Sequence, residues 1–310
     1  MKKSFCDVLL LYYPRVPEVE DLYSTYITNC VFNSFLSYTA IMLNIVTMHA
    51  IRKTSTLPET LKTLLLSLAV SDVGVGLFSQ PFYILLLVKW IRENDPGCNT
   101  YKTFDTIVGL FSTASFFGVL AVSVDRFLAI HVHLRYQELV THKRVVAVVI
   151  LIYVLSAFFS LMPLWAPHHI RSLLLSLGTV IGLLITTLIY IRIYLAVRHH
   201  KNQIQAIQVR HAVQNYEITN FTKVIKSSVS TFYVYLVFLV CYFPIFISSS
   251  ALQIINPSIA WKRFLFFSIT LVFVNSCLNP VIYCWKMRHI RHSVINILMN
   301  MSCHRNLASN

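Results

Sequence analysis

The stretch VLAVSVDRFLAIHVHL, residues Val119 to Leu134, is an apolar run of helical character that ends at Asp125 and Arg126. A charge placed deeper in hydrocarbon costs about 2.5–3.5 kcal/mol on insertion-based scales, so charged residues in such segments are rare. An adjacent acid and base at the end of a lipid-length segment therefore predict a charge pair at the membrane face. The rest of the chain is expected to hold this pair and to move it.

The composition is that of a membrane protein. Of 310 residues 56% are hydrophobic and 12% are charged, whereas a soluble protein carries about 25% charged residues. A helix that crosses about 30 Å of hydrocarbon needs roughly 20 mostly apolar residues. The chain has seven such stretches, at about Tyr26–Ile51, Leu61–Trp90, Tyr101–His131, Val145–Trp165, Ser172–Val197, Phe221–Leu252 and Phe264–Trp285.

These stretches predict an all-α membrane protein, a bundle of seven transmembrane helices over residues 26–285. Helices are expected because backbone polar groups in lipid must be satisfied within their own segment. Residues 1–25 are predicted to form an extracellular tail. Residues 286–310 combine an amphipathic stretch, expected on the inner leaflet, with a cytoplasmic tail.

The charge distribution sets the expected orientation and excludes one class of partner. The net charge is +14, but the basic residues fall in short loops between apolar runs rather than in a nucleic-acid-binding patch. Most of them lie on one side, which predicts a multi-pass plasma-membrane protein with its N-terminus outside.

No pattern of an enzyme or a transporter is found in the sequence. There is no HExxH, no GxSxG and no pair of catalytic carboxylates. Inverted repeats and paired half-helices, which are typical of transporters, are also missing from the sequence. We therefore expect no catalytic residue and no required cofactor.

Asp72 lies in the middle of the second apolar stretch, where a lone carboxylate needs partners, a cation or a proton. Polar residues at comparable depth would form an oxygen-rich site for a small hard cation such as sodium. The alternative is a buried acid that is merely hydrogen-bonded. The residues predicted to share this depth are Asn44, Ser115, Asn275, Ser276 and Asn279.

Prolines and cysteines add two further expectations. Pro81, Pro163, Pro244 and Pro280 each remove a helical hydrogen bond and predict kinks. Cys6 and Cys98 fall on the oxidising side, and the sequence leaves open whether they pair. The other five cysteines are expected to pack or to carry lipid; Cys303 is either palmitoylated or simply exposed.

Five motifs occur on the spans in an order that is far more specific than any one of them. They are Asn44, LSLAVSD ending at Asp72, DRF at Asp125–Phe127, CYFP at Cys241–Pro244 and NPVIY at Asn279–Tyr283. On these motifs the chain resembles the rhodopsin-like (class A) G-protein-coupled receptors over nearly its whole length.

The resemblance implies an activation switch. Asp125 would hold Arg126 at rest, and on activation Arg126 would swing toward Tyr190 and Tyr283 and line a G-protein cavity. Leu134 matches the loop residue that enters a pocket of the Gα subunit, with ordinary loop packing as the alternative. The remaining implied switch positions are Tyr242, Pro244, Asn279 and Pro280.

Several residues depart from the family pattern. Tyr242 stands where a tryptophan is usual, and Gly182 stands where the fifth span usually has a proline. Val224 occupies the position at which many members place an acid that locks Arg126, which predicts a weak resting restraint. The second outer loop is very short and has no cysteine, so the family's usual disulfide cannot form.

The short second loop and the missing proline are similar to features of the melanocortin/adenosine receptor group. Only Asp105 corresponds to the acids by which melanocortin receptors hold calcium and peptide. Ser249 replaces the asparagine that reads the purine in adenosine receptors, and Val108 replaces the acid of amine receptors. The ligand class therefore stays open at this point.

By resemblance the outer half of the bundle would form a ligand cavity that is mainly apolar, with a few hydroxyls and one acid. A small amphipathic or weakly basic molecule, a lipid or a peptide would suit this lining. Asp105 could instead pair with Lys102 or with a loop base. The predicted ligand-binding residues are Asp105, Val108, Gly109, Ser112, Ile245, Phe246, Ser249, Leu265 and Ile269.

Two functional hypotheses follow. The first is a receptor that binds an extracellular ligand in the outer half of the bundle and activates heterotrimeric G proteins by helix rearrangement. The second is a receptor-like protein without a normal ligand, which signals constitutively or serves as a heteromer partner. The missing disulfide and Val224 are the residue-level reasons for keeping the second.

Overall fold

The computed structural model describes residues 18–92, 96–132, 135–207, 215–251 and 258–308. Within these residues seven helices are long and apolar enough to cross a membrane, which confirms the predicted fold class. An eighth helix follows the seventh after a single residue. The helices are α1 (Val19–Lys53), α2 (Glu59–Ile91), α3 (Cys98–His131), α4 (His142–Leu164), α5 (His168–Ile207), α6 (Asn215–Ala251), α7 (Ile259–Lys286) and α8 (Arg288–Ala308).

Several helices extend beyond the apolar stretches that predicted them. Helix α1 begins at Val19 rather than at about Tyr26, and α5 continues to Ile207 rather than ending at Val197. The added turns are polar, so hydropathy alone does not detect them. They remain helical because a helix satisfies its own backbone hydrogen bonds in water as well as in lipid.

The four prolines lie in two different settings. A π-helical turn, Val75–Ser79, precedes Pro81 in α2, and Pro163 lies in the 3-10 turn Met162–Leu164 that ends α4. Pro244 and Pro280 lie inside the continuous helices α6 and α7. Each of the four prolines lacks a backbone N–H donor, and the α-helical hydrogen-bond pattern is interrupted beside the first two.

Among the described residues the interior has two large apolar clusters with polar residues between them, and a small third cluster of Leu36, Ala40 and Cys277. The cluster around Leu65, Val122 and Tyr283 lies at the end of the bundle that contains Arg126, called the inner end here. The other cluster, around Tyr83 and Phe266, lies at the opposite or outer end. Asp72 is completely buried between the two.

Large apolar side chains also cover the outside of the helices. Phe35, Val240 and Leu188 are among them, and Val240 in α6 is 69% exposed. Such a belt would be an aggregation surface in water, whereas hydrocarbon is its natural solvent. The chain is therefore a multi-pass membrane protein.

The outer end of α1 is held against α7 by polar contacts. Glu18 forms an ion pair with Lys262, whose side chain is 3% exposed, and Arg263 donates to the Asp21 carbonyl. Cys98, at the start of α3, is disulfide-bonded; Cys6 lies outside the described residues. The short second outer loop is confirmed, since α4 ends at Leu164 and α5 begins at His168.

Candidate functional site

Arg126 is buried at the inner end of α3, with its side chain 1% exposed. Its guanidinium forms an ion pair with Asp125, to which its Nε donates at 2.9 Å. Its Nη1 donates to the Ser227 hydroxyl of α6 at 3.4 Å, which is a long hydrogen bond. The charge pair predicted from the sequence is therefore present, and its link to α6 is weak.

Tyr136, in the helical turn Tyr136–Leu139 between α3 and α4, completes this cluster. Its hydroxyl donates to Asp125 Oδ1 at 2.7 Å and lies 3.0 Å from the Thr60 hydroxyl of α2. Burial, followed by the neighbouring Asp125 carboxylate, raises the pKa of Tyr136 to about 12. The hydroxyl thus keeps its proton at neutral pH and remains a donor that fixes the Asp125 carboxylate.

Replacing Tyr136 by phenylalanine is expected to raise by roughly tenfold the agonist-free G-protein activation that the family resemblance implies. The substitution removes a hydrogen bond to a charged group, worth about 1.5 kcal/mol, that orients the partner of Arg126. The measurement is agonist-free nucleotide exchange at matched surface expression. Tyr153→Phe is the matched control, because its hydroxyl donates to the Ser67 carbonyl, away from Asp125, at 3.0 Å. Basal exchange equal to the wild type would show that Tyr136 does not restrain the pair.

An apolar layer closes the bundle between Arg126 and the middle of the membrane. It surrounds a cavity of about 10 Å³ lined by Leu65, Leu68, Val119, Val122, Thr231, Val234 and Tyr283. A space of this size matches one water molecule, but a lining with so few polar groups favours a dry cavity. The layer therefore separates the inner face from the polar residues around Asp72.

The two tyrosines expected to receive Arg126 are both buried, and neither is hydrogen-bonded to it in this conformation. The Tyr190 hydroxyl of α5 accepts from Ser123 of α3 at 3.1 Å and also interacts with Thr231 of α6. The Tyr283 hydroxyl makes no hydrogen bond with any described residue. A buried hydroxyl without a hydrogen-bond partner costs about 1–3 kcal/mol. A conformation in which the Tyr283 hydroxyl gains a partner would recover this free energy.

Tyr242 connects the middle of α6 to the predicted ligand cavity. Its hydroxyl lies near the Ser112 side chain of α3, and its ring stacks on Phe238 at 4.0 Å between centroids. Phe238 in turn contacts Phe116, whose ring fills the space left by Gly182 on α5. Movement of Ser112 would thus be transmitted through packed rings to α5 and α6.

The Asp72 carboxylate lies in a polar layer formed with α7. Asn279 donates to Asp72 Oδ2 at 2.9 Å, and Ser276 lies near the carboxylate. Ser115 instead lies 3.1 Å from the hydroxyl of Ser71. Four buried oxygens of the layer have no hydrogen-bond partner among the described residues: Asp72 Oδ1, Asn44 Oδ1, Asn275 Oδ1 and Asn279 Oδ1.

These unpartnered oxygens bear on the prediction that a sodium ion binds beside Asp72. A carboxylate together with amide oxygens is the set of donors that hard cations prefer. Amide and carboxylate oxygens that find no donor inside hydrocarbon are costly unless a cation or a water molecule satisfies them. The residues present therefore fit a sodium ion.

Asp105 forms an ion pair with Arg171 of α5, with Nη2 2.6 Å from Oδ2. A loop base was one of the two alternatives left open by the sequence, and Arg171 follows the second outer loop directly. The pair joins the outer ends of α3 and α5, where the family's usual disulfide is missing. A cationic ligand would have to compete with Arg171 for this carboxylate.

The other predicted ligand residues are distributed around the same outer half. Val108, Ile245, Leu265 and Ile269 pack with the outer apolar cluster, and Phe246 is half-buried on α6. Gly109 faces the backbone of Ser160 in α4, 3.8 Å from the position of a Cβ. The Ser249 side chain lies outside the described residues, as do Leu134 and the Cys303 side chain.

Three polar features in the bundle were missed by sequence reasoning. Tyr136 is one of them. The second is an interhelical network in which Asn33 donates to Thr270 at 2.8 Å, and Thr270 donates to Asn29 at 2.6 Å. The third is Gln80, fully buried without a hydrogen bond to any described residue. Asn29, Asn33 and Gln80 are polar residues in apolar stretches, which is the signal that would have found the last two features.

Comparison with known proteins agrees with this arrangement. The sequence model described as "7 transmembrane receptor (rhodopsin family)" matches residues 43–172 and 165–283. The adenosine receptor A2b of Gallus gallus is 26% identical over 317 residues, covering 89% of each chain. That of Mus musculus is 27% identical, covering 84% of this chain and 86% of its own. The adenosine receptor A2a of Canis lupus familiaris is 24% identical, covering 84% of this chain and 69% of its own.

The motifs predicted from the sequence and the family match cover the same spans. Asn44, Asp72, the Asp125–Arg126 pair and Asn279–Tyr283 all fall within the matched residues. The similarity to adenosine receptors also confirms the predicted resemblance to the melanocortin/adenosine receptor group. The chain belongs to the rhodopsin family of seven-transmembrane receptors, and it is a G-protein-coupled receptor.

Proposed function

We propose that this receptor lies in the plasma membrane with its N-terminus outside, binds an extracellular ligand in the outer half of the bundle and activates heterotrimeric G proteins. The observation that carries this proposal is the clamped arginine. Arg126 is 1% exposed and is held by Asp125, with Tyr136 on the other oxygen of that carboxylate. Keeping a charge buried in this way costs free energy. This cost supports a role for Arg126 that begins when its ion pair opens and the side chain becomes exposed.

A closed inner face also implies that activation needs helix rearrangement. A Gα subunit cannot contact an arginine that is 99% covered, so the inner end of α6 must move away from α3. Among the α6 residues whose side chains the structure describes, Ser227 alone is hydrogen-bonded to Arg126, at 3.4 Å. A ligand that prefers the open state would shift the population, and a change from 1:99 to 99:1 needs about 5.5 kcal/mol of preference.

A second contact restrains α6 against α7 in the closed conformation. The Lys286 ammonium lies 4.0 Å from the ring centroid of Tyr233 on α6 and 3.5 Å from that of Trp285. Cation–π contacts of this kind contribute about 0.5–1 kcal/mol at exposed sites and more when they are desolvated. The contact would partly compensate for Val224, which stands where the resemblance expects an acid that locks Arg126.

Replacing Lys286 by methionine is expected to raise agonist-free G-protein activation by roughly two- to fivefold, because it removes the cation from the Tyr233 ring. Lys286→Arg keeps the cation and is the matched control. The measurement is nucleotide exchange at equal surface expression. Equal basal exchange in the methionine and arginine variants would show that the contact does not hold α6.

We further propose that a sodium ion binds the Asp72 layer and that the ligand touches Ser112 on the outer side of it. Asp72, Ser276, Asn279 and Asn275 would hold the ion, whose charge would stabilise the carboxylate in the closed bundle. Four oxygens without partners support this assignment. The Ser112 side chain lies near the Tyr242 hydroxyl, which supports a direct route from ligand to α6.

One observation favours the second candidate function, constitutive signalling without a normal ligand. Among the described residues the link from Arg126 to α6 is a single long hydrogen bond, so the closed state has little direct restraint at that point.

Adenosine is the first ligand to test because the relatives are named adenosine receptors. We expect no response to it, since Ser249 replaces the purine-reading asparagine of that group.

The experiment that tests the proposal is nucleotide exchange on each class of purified Gα by the full chain in nanodiscs. Exchange above that of empty nanodiscs, without agonist or with a ligand found by screening, is the expected result. An increase with a ligand supports the first candidate, and an agonist-free increase that no ligand changes supports the second. No exchange on any Gα class under either condition would reject both.

A further inference from the structure

Two asparagines of α1 and one threonine of α7 form a hydrogen-bonded group in the outer half of the bundle. Asn33 Nδ2 donates to the Thr270 hydroxyl at 2.8 Å, and that hydroxyl donates to Asn29 Oδ1 at 2.6 Å. All three side chains are buried, and Asn33 is completely buried. Asn33 Oδ1 makes no hydrogen bond with any described residue. The group therefore keeps one acceptor without a partner in the described part of the chain.

Gln80 of α2 lies at the same level as Asn33. Two contacts between α1 and α2, one on either side of this level, set the register of the two helices: Cys30 Sγ lies 3.9 Å from the Ile84 carbonyl oxygen, and Ser37 Oγ lies 2.8 Å from that of Gly76. Because α1 and α2 run in opposite directions, the residues midway between these contacts, Asn33 and Gln80, lie at about the same height.

Gln80 adds an amide that no described residue satisfies. Its side chain is completely buried, and neither Nε2 nor Oε1 makes a hydrogen bond within the described residues. The hydroxyl of Ser79, which is 1% exposed, has no described partner either. Buried polar groups without partners cost free energy. We call Asn33, Ser79, Gln80 and Thr270 the outer polar junction.

The outer polar junction lies beneath the predicted ligand cavity. Tyr83 is one helical turn above Gln80 on α2; its hydroxyl donates to the Phe266 carbonyl at 3.0 Å, and its ring stacks on Phe104 at 5.7 Å between centroids. These three aromatic residues belong to the outer apolar cluster, which also contains the predicted ligand residue Ile269. The apolar body of a ligand would therefore lie against this cluster, with the junction one turn below.

We propose that the outer polar junction binds a neutral amide edge of the extracellular ligand, that is, a carboxamide or lactam in which an N–H donor and a carbonyl acceptor are adjacent. The Gln80 amide presents a donor and an acceptor side by side, so it forms paired hydrogen bonds with such an edge. Asn33 Oδ1 accepts from a further N–H. The four residues of the junction are uncharged, so a charged group placed there would have no compensating partner among them. This inference rests on the proposed function and adds the chemical class of the ligand.

The test measures binding of tritiated benzamide, a carboxamide on an apolar ring, to the full chain in nanodiscs. The wild type is expected to bind more than empty nanodiscs do. Gln80→Met keeps the length of the side chain but removes its amide, so it should bind benzamide about 10- to 100-fold more weakly, the discrimination that a bidentate amide pair gives. Wild-type binding no higher than that of empty nanodiscs at the solubility limit of benzamide, or equal binding by Gln80→Met, would overturn the proposal.

Ser156→Ala is the matched control. Ser156 on α4 is also completely buried, but its hydroxyl donates to the Ile152 carbonyl at 2.7 Å, away from the junction. This variant should bind benzamide as the wild type does, and a loss equal to that of Gln80→Met would contradict a local site. Without ligand, Gln80→Met should unfold at a temperature no lower than the wild type, because it removes a buried amide that has no partner. A lower unfolding temperature would show that the amide is satisfied within the fold and would also overturn the proposal.

Two further probes decide whether the amide edge itself is recognised. Acetophenone has the shape of benzamide with a methyl group in place of the NH₂, and benzoate has a charged oxygen there. Both should compete with benzamide at least about tenfold more weakly, because the first lacks the donor and the second buries an uncompensated charge. Equal competition by either probe would reject an amide site. None of these measurements involves a G protein, so a failure of amide binding and a failure of nucleotide exchange are separate results.

Discussion

Replacing Arg126 by alanine is expected to reduce G-protein activation to the level of membranes without receptor, with any agonist and in its absence. The arginine is the buried charge at the inner end of α3, and the proposed open state exposes it to Gα. Alanine removes the ion pair that Arg126 makes with Asp125 in the closed state. It also removes the guanidinium that would contact Gα in the open state. Loss of two or more hydrogen bonds to a charged group, worth about 1.5–3 kcal/mol each, predicts an effect of at least about 100-fold.

Loss of the fold would also abolish activation, so the experiment needs two safeguards. Surface expression of the alanine variant should match that of the wild type, and the variant should remain folded at the assay temperature in a thermal unfolding experiment. Arg52→Ala, at the exposed end of α1, removes a charge from the same end of the bundle and should leave activation intact. Activation by the Arg126 variant close to that of the wild type would contradict its role as the switch.

Asp72→Asn is expected to abolish any effect of sodium on the receptor. In the wild type, sodium chloride should raise the unfolding temperature by several degrees relative to choline chloride. A ligand at 100 times its dissociation constant stabilises by about 2.7 kcal/mol, which sets the size of this shift. The asparagine variant keeps the shape of the side chain but removes the charge, so both salts should give the same unfolding temperature.

The variant should also unfold at a higher temperature than the wild type when sodium is absent. Asp72 is fully buried, and a buried carboxylate without a compensating charge is destabilising. Asp105→Asn is the matched control, since it removes the carboxylate paired with Arg171 at the outer end and should retain the sodium response. A sodium shift of equal size in wild type and Asp72→Asn would reject the site.

The fold could be read from the sequence because the governing pattern is local. Seven stretches of membrane length, such as Leu61–Trp90, each indicate a helix without reference to any other part of the chain. Asp125 and Arg126 are neighbours in sequence, so their ion pair was also predictable. Helix ends were not, since the polar turns up to Ile207 in α5 and from Val19 in α1 lie outside the hydrocarbon where hydropathy is informative.

The contacts that restrain the switch were less accessible to sequence reasoning. The Tyr136 hydroxyl donates to Asp125 from the helical turn between α3 and α4, and the Lys286 ammonium at the end of α7 contacts the Tyr233 ring of α6. Both contacts depend on how separate segments of the chain pack against each other, which a local sequence pattern does not encode. Asp105 shows the same limit: the sequence offered Lys102 or a loop base as its partner, and the structure pairs it with Arg171.

The central claim is that the inner end of α6 moves away when Arg126 is released. It is tested most directly by the distance between spin labels at Lys143 on α4 and Lys226 on α6, both exposed. These positions are labelled through engineered cysteines in a background without other reactive cysteines, and the distance is measured by electron–electron double resonance in nanodiscs. With the nucleotide-free Gα that the wild type activates, we expect a longer distance than in the receptor alone. An unchanged distance in the wild-type complex would contradict this claim.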